Sequence, residues 1–201
     1  HPCGPGSALA TWIASDMQAS TKPCTVAMWH HPLWSVGGAH AEGYPPMIPV
    51  WNQLHGLGVD MVLIGHVHLY VRTKPLGLAS VDPSNPGIVG PPTSDPHGMV
   101  EFVIGTGGED NYAASVPLTD ALTPFLATYS AKQSPGLFGA AGFHLKSDRY
   151  TYSYLPAKDS ATFTDNGGRT CRRATQGNPQ DVPGEPVTTP PTTTLAAQQV
   201  T

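Results

Sequence analysis

Few residues of this chain carry charge: 10 Lys and Arg and 14 Asp and Glu make up only 12% of its 201 residues, about half the usual share. With a net charge of -4, that scarcity excludes the basic footprint of a nucleic-acid-binding surface, and no Lys/Arg run is present to hold a membrane face. Also lacking is any apolar stretch near the roughly 18 residues of a membrane-spanning helix. Cysteine is sparse too, and its count of three prevents complete internal pairing. Cys3 and Cys24 flank one short helical pattern and are expected to meet as a disulfide, which leaves Cys171 over; the alternative is three buried thiols in a reducing compartment. Low charge, few lysines and a Thr/Pro-rich tail favour the oxidising setting, secreted or extracytoplasmic. Methionine is missing from the first position, where His1 stands, and no signal-peptide pattern follows it. The chain is therefore expected to begin inside a longer protein.

What is abundant is Gly and Pro, 22 of each, so loops and turns must be extensive, around a hydrophobic content of 39% that suffices for one domain with a real core. Ser7 to Ala19 has the pattern of an amphipathic helix with Ser7 as N-cap and Leu9, Trp12, Ile13 and Met17 on one face. Pro23 stops it. Cys24 to Trp29 is a short, β-prone apolar run that suits a buried strand. It ends at His30-His31-Pro32, after which Gly37-Gly38 and Tyr44-Pro45-Pro46 mark a long loop. Val50, Trp51, Leu54 and Leu57 form a second helical stripe closed by Gly58, and Val59 to Ile64 is another strand run that ends at Gly65. This alternation predicts an α/β chain with a parallel sheet covered by helices, whose ligands bind at the carboxyl ends of the strands. Both histidine clusters fall there.

Further along, 81–96 is a Pro/Gly/Ser/Asp-rich surface excursion, Met99 to Ile104 is a third strand run, and 117–136 looks irregular. Ala140 to Leu145 and Tyr150 to Leu155 are predicted to pair as a hairpin. From Ala174 the periodicity ceases, and the Thr/Pro-rich stretch around 186–194 cannot bury enough apolar surface to offset the entropy of ordering it. The expected organisation is a domain over 1–173 and a linker or stalk over 174–201.

Gly65-His66-Val67-His68 is the sharpest local signal. In extended backbone, residues two apart point to one side, so His66 and His68 are expected to converge. Imidazole is a common ligand for Zn, Fe, Mn or Ni, and Gly65 permits close approach of the backbone; the plainer alternative is two ordinary, partly buried histidines. His30 shifts the balance, because if the two strands are parallel neighbours it enters the same crevice. Three histidines gathered at two strand ends are hard to explain as core packing, since each would need its own hydrogen-bond partners. His31 suits a supporting role in the loop. The Gly105-Thr106-Gly107-Gly108 run has no following Lys-Ser/Thr and is taken as a structural turn rather than a phosphate cradle. His1, His55, His97 and His144 carry no spacing argument.

Taken together, Met28-Trp29-His30-His31-Pro32-Leu33-Trp34-Ser35, Gly65-His66-Val67-His68-Leu69-Tyr70-Val71-Arg72 and Phe102-Val103-Ile104-Gly105-Thr106-Gly107-Gly108 resemble the C-terminal half of the calcineurin-like metallophosphoesterases, and within them the secreted purple-acid-phosphatase-like branch. The resemblance runs from about Cys3 to Cys171. It implies the C-terminal half of a helix-flanked β-sandwich, and metal-dependent hydrolysis of phosphate esters, of acid phosphatase or phosphodiesterase type, at a dinuclear centre of two divalent or trivalent ions (Fe, Zn or Mn). By the same resemblance His30 and His66 share one metal, His68 binds the other, and His40 contacts the phosphate or protonates the leaving group; the alternative for His40 is an exposed loop histidine. The family's N-terminal motifs, Asp-x-His, Gly-Asp and Gly-Asn-His, are absent from this chain, so the remaining ligands would come from the missing N-terminal half of the same domain. The competing reading is a non-catalytic secreted module or inactive fragment that keeps the fold.

Overall fold

The computed structural model describes residues 3–36, 43–108, 122–129, 138–157 and 163–185. Its central layer is a five-stranded mixed sheet built from β1 (Val26–Trp29), β2 (Met61–Ile64), β3 (Tyr70–Thr73), β6 (Val100–Ile104) and β7 (Leu126–Tyr129), in the order β1-β2-β6-β3-β7. β1, β2 and β6 run parallel, as the alternation of helix and strand predicts, whereas β3 runs antiparallel to both of its neighbours, β6 and β7. The second layer is an antiparallel sheet of β8 (Gly139–Leu145), β9 (Arg149–Pro156), β10 (Asn166–Thr170) and β11 (Asp181–Val182). A small hairpin of β4 (Val81–Asp82) and β5 (Asn85–Val89) forms the surface excursion.

The alternation of side chains along the central strands sorts two cores. Val62 and Ile64 of β2, Val71 of β3 and Val103 of β6 pack under α1 (Ala8–Ala19) and α2 (Ile48–Gly56), against Ile13, Met17, Val50, Trp51 and Leu54. Met61, Tyr70, Val100 and Phe102 face the opposite way and meet Tyr150, Tyr154 and Phe163 of the second layer. Each fully buried aliphatic contributes about 1.5–3 kcal/mol. Trp51 is wholly enclosed and donates its indole N–H to the Gly77 carbonyl at 2.8 Å. Between the layers Arg72 grips Asp165 through both of its oxygens at 2.7 and 2.8 Å, while the Tyr70 hydroxyl donates to the same carboxylate at 2.7 Å. The helix-flanked sandwich architecture is thus present.

Several expectations need correction. Ser7 does cap α1, accepting from the Ala10 N–H, but the helix buries Ala10, Ile13 and Met17, while Trp12 stays 62% exposed. β1 is an edge strand, so Met28 is 75% exposed rather than buried. β7 lies in the segment that looked irregular, and β10 and β11 gave no periodic signal because they are short and rich in Gly or at an edge. β11 falls within the stretch expected to be linker and pairs with Gly168 and Arg169; residues 186–201 lie outside the described residues.

The expected Cys3–Cys24 disulfide does not form; Cys24 is bonded to Cys171 instead. The sheet itself is the reason. Cys3 packs with the helix-side core, whereas Cys24 and Cys171 belong to the core between the two layers. Beside the bridge, Asp60 is nearly inaccessible and accepts the N–H of Thr25 and of Arg172, both at 2.7 Å. Those residues adjoin Cys24 and Cys171, so the carboxylate ties its own segment to the two that the disulfide joins. Burial pushes the Asp60 carboxyl up to about 6 despite these hydrogen bonds.

Candidate functional site

Parallel pairing decides where the histidines emerge. Trp29, the last residue of β1, stands in register with Ile64, the last of β2, so the chain leaves both strands side by side. His30 and Gly65-His66 are the next residues on each. The His66 Nδ1 and His30 Nε2 atoms lie 3.0 Å apart, with one ring donating to the other. That contact requires at least one of the two imidazoles to be neutral and to present a lone pair.

The turn that carries the paired histidines is not extended, contrary to expectation. His66 has a φ of 64°, left-handed backbone that costs a non-glycine residue on the order of 1 kcal/mol and persists where the surroundings hold it. Here the holders are tight hydrogen bonds from Val67 N to the Gly65 carbonyl and from Leu69 N to the Val67 carbonyl, both 2.8 Å, and a cross-link from Gly105 N to the Leu69 carbonyl at 3.0 Å. Gly105 is needed for that crossing, since a Cβ there would fall on the Val67 carbonyl. The Gly-rich run after β6 therefore acts as a structural junction, and Thr106 continues it by donating to the Gly139 carbonyl at 3.1 Å. Gly65 lies beneath the His30 ring, where a Cβ would stand 3.4 Å from Nδ1.

His31 joins the group more closely than its supporting role suggested. Its ring centroid is 4.2 Å from that of His66, and Tyr44 stacks on it at 4.7 Å. Tyr44, which sequence reasoning passed over as a loop marker, is anchored there by its N–H to the Pro32 carbonyl at 3.0 Å. His68, half-buried, follows in the same turn. His40 lies in the 37–42 segment, outside the described residues. His55 is elsewhere, bonded to Asp95 at 3.0 Å in the last turn of α2, with burial holding its pKa below the ordinary value.

The donor set suits a metal on one side only. Two ring nitrogens about 3 Å apart can both reach a single ion at the roughly 2.0–2.1 Å typical of Zn–N bonds. Carboxylates to complete a site are wanting: among the described residues no group of three or more His, Cys, Asp and Glu side chains is arranged as a cage.

The loop after His31 is tied down from within. Leu33, Trp34, Ser35 and Val36 are all buried, and Trp34 donates its backbone N–H to the Glu101 carboxyl at 3.3 Å and its indole N–H to the Gly90 carbonyl at 2.9 Å. Glu101 is completely enclosed in β6, and burial pushes its carboxyl up to about 8. Nothing in the run Met99 to Ile104 except the presence of an acid inside an apolar strand could have pointed to it.

Comparison with known proteins brings the geometry into context. No family model matches the chain. Purple acid phosphatase 18 of Arabidopsis thaliana is 33% identical over 102 residues, 49% of this chain and 20% of that protein. Purple acid phosphatase 15 of the same plant is 32% identical over 101 residues, 48% of this chain and 16% of the relative. The chain thus spans a fifth or less of the length of these curated relatives. In fold it is similar to the purple acid phosphatase PPD1 isolated from yellow lupin (Lupinus luteus) seeds, with a TM-score of 0.58 and 16% identity, over 82% of this chain and 28% of that one. Over about half of its length in sequence, and over most of its length in fold, this chain is thus similar to purple acid phosphatases.

Proposed function

We propose that this chain supplies the histidine half of a dinuclear metal site that hydrolyses phosphate esters in the full-length protein. The observation that carries the reading is the meeting of His30 and His66 from two different strand ends, 3.0 Å apart. His30 and His66 would hold one ion and His68 the other. The ions, Fe, Zn or Mn, supply Lewis acidity and a hydroxide nucleophile near neutral pH when bound. This chain's own contribution is placement: the His31–Tyr44 stack buttresses the His66 ring, and the strained turn fixes its direction. His40, four residues before Tyr44, would donate the proton to the leaving oxygen.

The remaining ligands would come from the missing N-terminal half of the domain. In support, β1 is an edge strand, and a groove of about 340 Å³ runs along it between Leu9, Trp12, Met28 and Trp29. Exposed apolar surface beside an unpaired strand edge is what a partner layer would cover. A secreted or extracytoplasmic location is supported by the Cys24–Cys171 bridge, since such bonds persist in oxidising compartments. The organisation proposed remains a phosphoesterase part followed by a Thr/Pro-rich linker, with the boundary expected at 173 moved past β11.

The test is His66→Ala in the full-length protein, assayed on aryl phosphates with metal content measured in parallel. The wild type should carry about two ions per protein and the variant should lose most activity. Activity within a few-fold of wild type would sink the ligand assignment, and a metal-free, inactive wild type would support the non-catalytic alternative.

A further inference from the structure

Glu101 is an expensive residue to keep. It faces the helix-side core between Met99 and Val103, with no accessible surface, and among the described residues its Oε2 has no hydrogen-bond partner. A carboxyl in such surroundings weakens the fold relative to a well-packed apolar side chain of similar size. Its polar neighbours are backbone N–H groups: Trp34 donates to Oε1 at 3.3 Å, and the Leu33 N–H lies against the same carboxyl. Both belong to the segment that follows His30-His31-Pro32. That segment is buried yet belongs to no helix or strand, so its N–H groups have no ladder to satisfy them and need an acceptor inside the core.

We propose that Glu101 is a positioning residue for His30: by accepting the Leu33 and Trp34 N–H groups from within the core, it sets the path of the chain out of β1 and so holds His30 against His66. The inference rests on the reading of the histidine cluster as a metal half-site. Glu101 acts only through the loop. The other end of its control is the edge-to-face packing of Trp34 on Trp51, with ring centroids 5.1 Å apart, which locks the loop once the carboxyl has placed it. Partners that hydrogen-bond metal ligands directly typically alter metal affinity 10–100-fold when removed, and Glu101, acting through the loop, should fall at the lower end of that range.

The experiment compares wild type, Glu101→Gln and Glu101→Leu in the full-length protein, with Zn²⁺ affinity and amide hydrogen exchange over residues 30–36 as readouts. Glu101→Met, closer in length, replaces the leucine variant should that one fail to fold. Glutamine keeps an acceptor oxygen, so it should hold Zn²⁺ within about three-fold of wild type and leave exchange unchanged. The apolar variant should exchange roughly ten-fold faster over 30–36 and bind Zn²⁺ about ten-fold more weakly or worse. Wild-type exchange and affinity in a folded apolar variant would overturn the inference while leaving the metal reading intact; so would equal losses in the glutamine and apolar variants. A wild type that takes up no Zn²⁺ would overturn the metal reading, and this inference with it.

Discussion

Replacing Glu101 by glutamine should change how stability depends on pH, and the size of the change can be worked from its surroundings. Burial lifts the carboxyl from an ordinary 4.5 to about 8 in the folded chain. An acid whose folded pKa is raised binds its proton more tightly in the native state, so its contribution is fully present below the unfolded pKa and is lost as pH rises toward the folded one. Each pH unit across that window removes about 1.4 kcal/mol. Between about pH 5 and pH 7 the native state therefore loses on the order of 3 kcal/mol through this one group. Asp60, raised from 3.8 to about 6, adds a loss of the same sign at lower pH. His55, held below its ordinary value, acts oppositely and favours the fold as pH rises through its range. Glutamine has the same shape and keeps an oxygen for the Trp34 N–H. Urea unfolding of both proteins across this range should show a stability curve that falls for the wild type and is flatter by about 3 kcal/mol for Glu101→Gln. Curves that run parallel to within about 0.5 kcal/mol would refute the claim that Glu101 is held neutral in the core.

Other consequences are as specific. Asp165→Ala strands the Arg72 guanidinium and the Tyr70 hydroxyl between the layers, so thermal or urea unfolding should register a loss of roughly 3–5 kcal/mol; a loss below about 1 kcal/mol would show that water replaces the carboxylate. Gly105→Ala drives a Cβ into the Val67 carbonyl and should lower stability by about 1–3 kcal/mol while weakening Zn²⁺ binding, whereas Gly107→Ala, which meets nothing within 4 Å, should leave both unchanged. Cys24→Ser opens a bridge between residues 147 apart, for which chain entropy gives a ceiling near 5 kcal/mol. Non-reducing peptide mapping should find the Cys24 peptide joined to that of Cys171, and a Cys3–Cys24 link would contradict the two-core arrangement.

Local patterns carried much of this protein. The Ser7 cap, the stripes of α1 and α2, the strand runs that became β2 and β6, and the β8–β9 hairpin follow from periodicity and turn chemistry that neighbours in sequence can encode. The histidine motifs were legible for the same reason, because His30-His31-Pro32 and Gly65-His66-Val67-His68 each sit where an apolar run stops. Convergence needed the sheet. The register of Trp29 with Ile64 is a hydrogen-bonding relation between residues far apart in the chain, and no local window contains it. Tertiary structure alone also chose the disulfide, since which side of a sheet a cysteine occupies depends on what that sheet packs against. It placed Tyr44 against His31 and enclosed Glu101 behind Trp34. Short strands such as β7 and β10 stayed hidden because their stability comes from pairing with β3 and β9, not from any preference of their own residues.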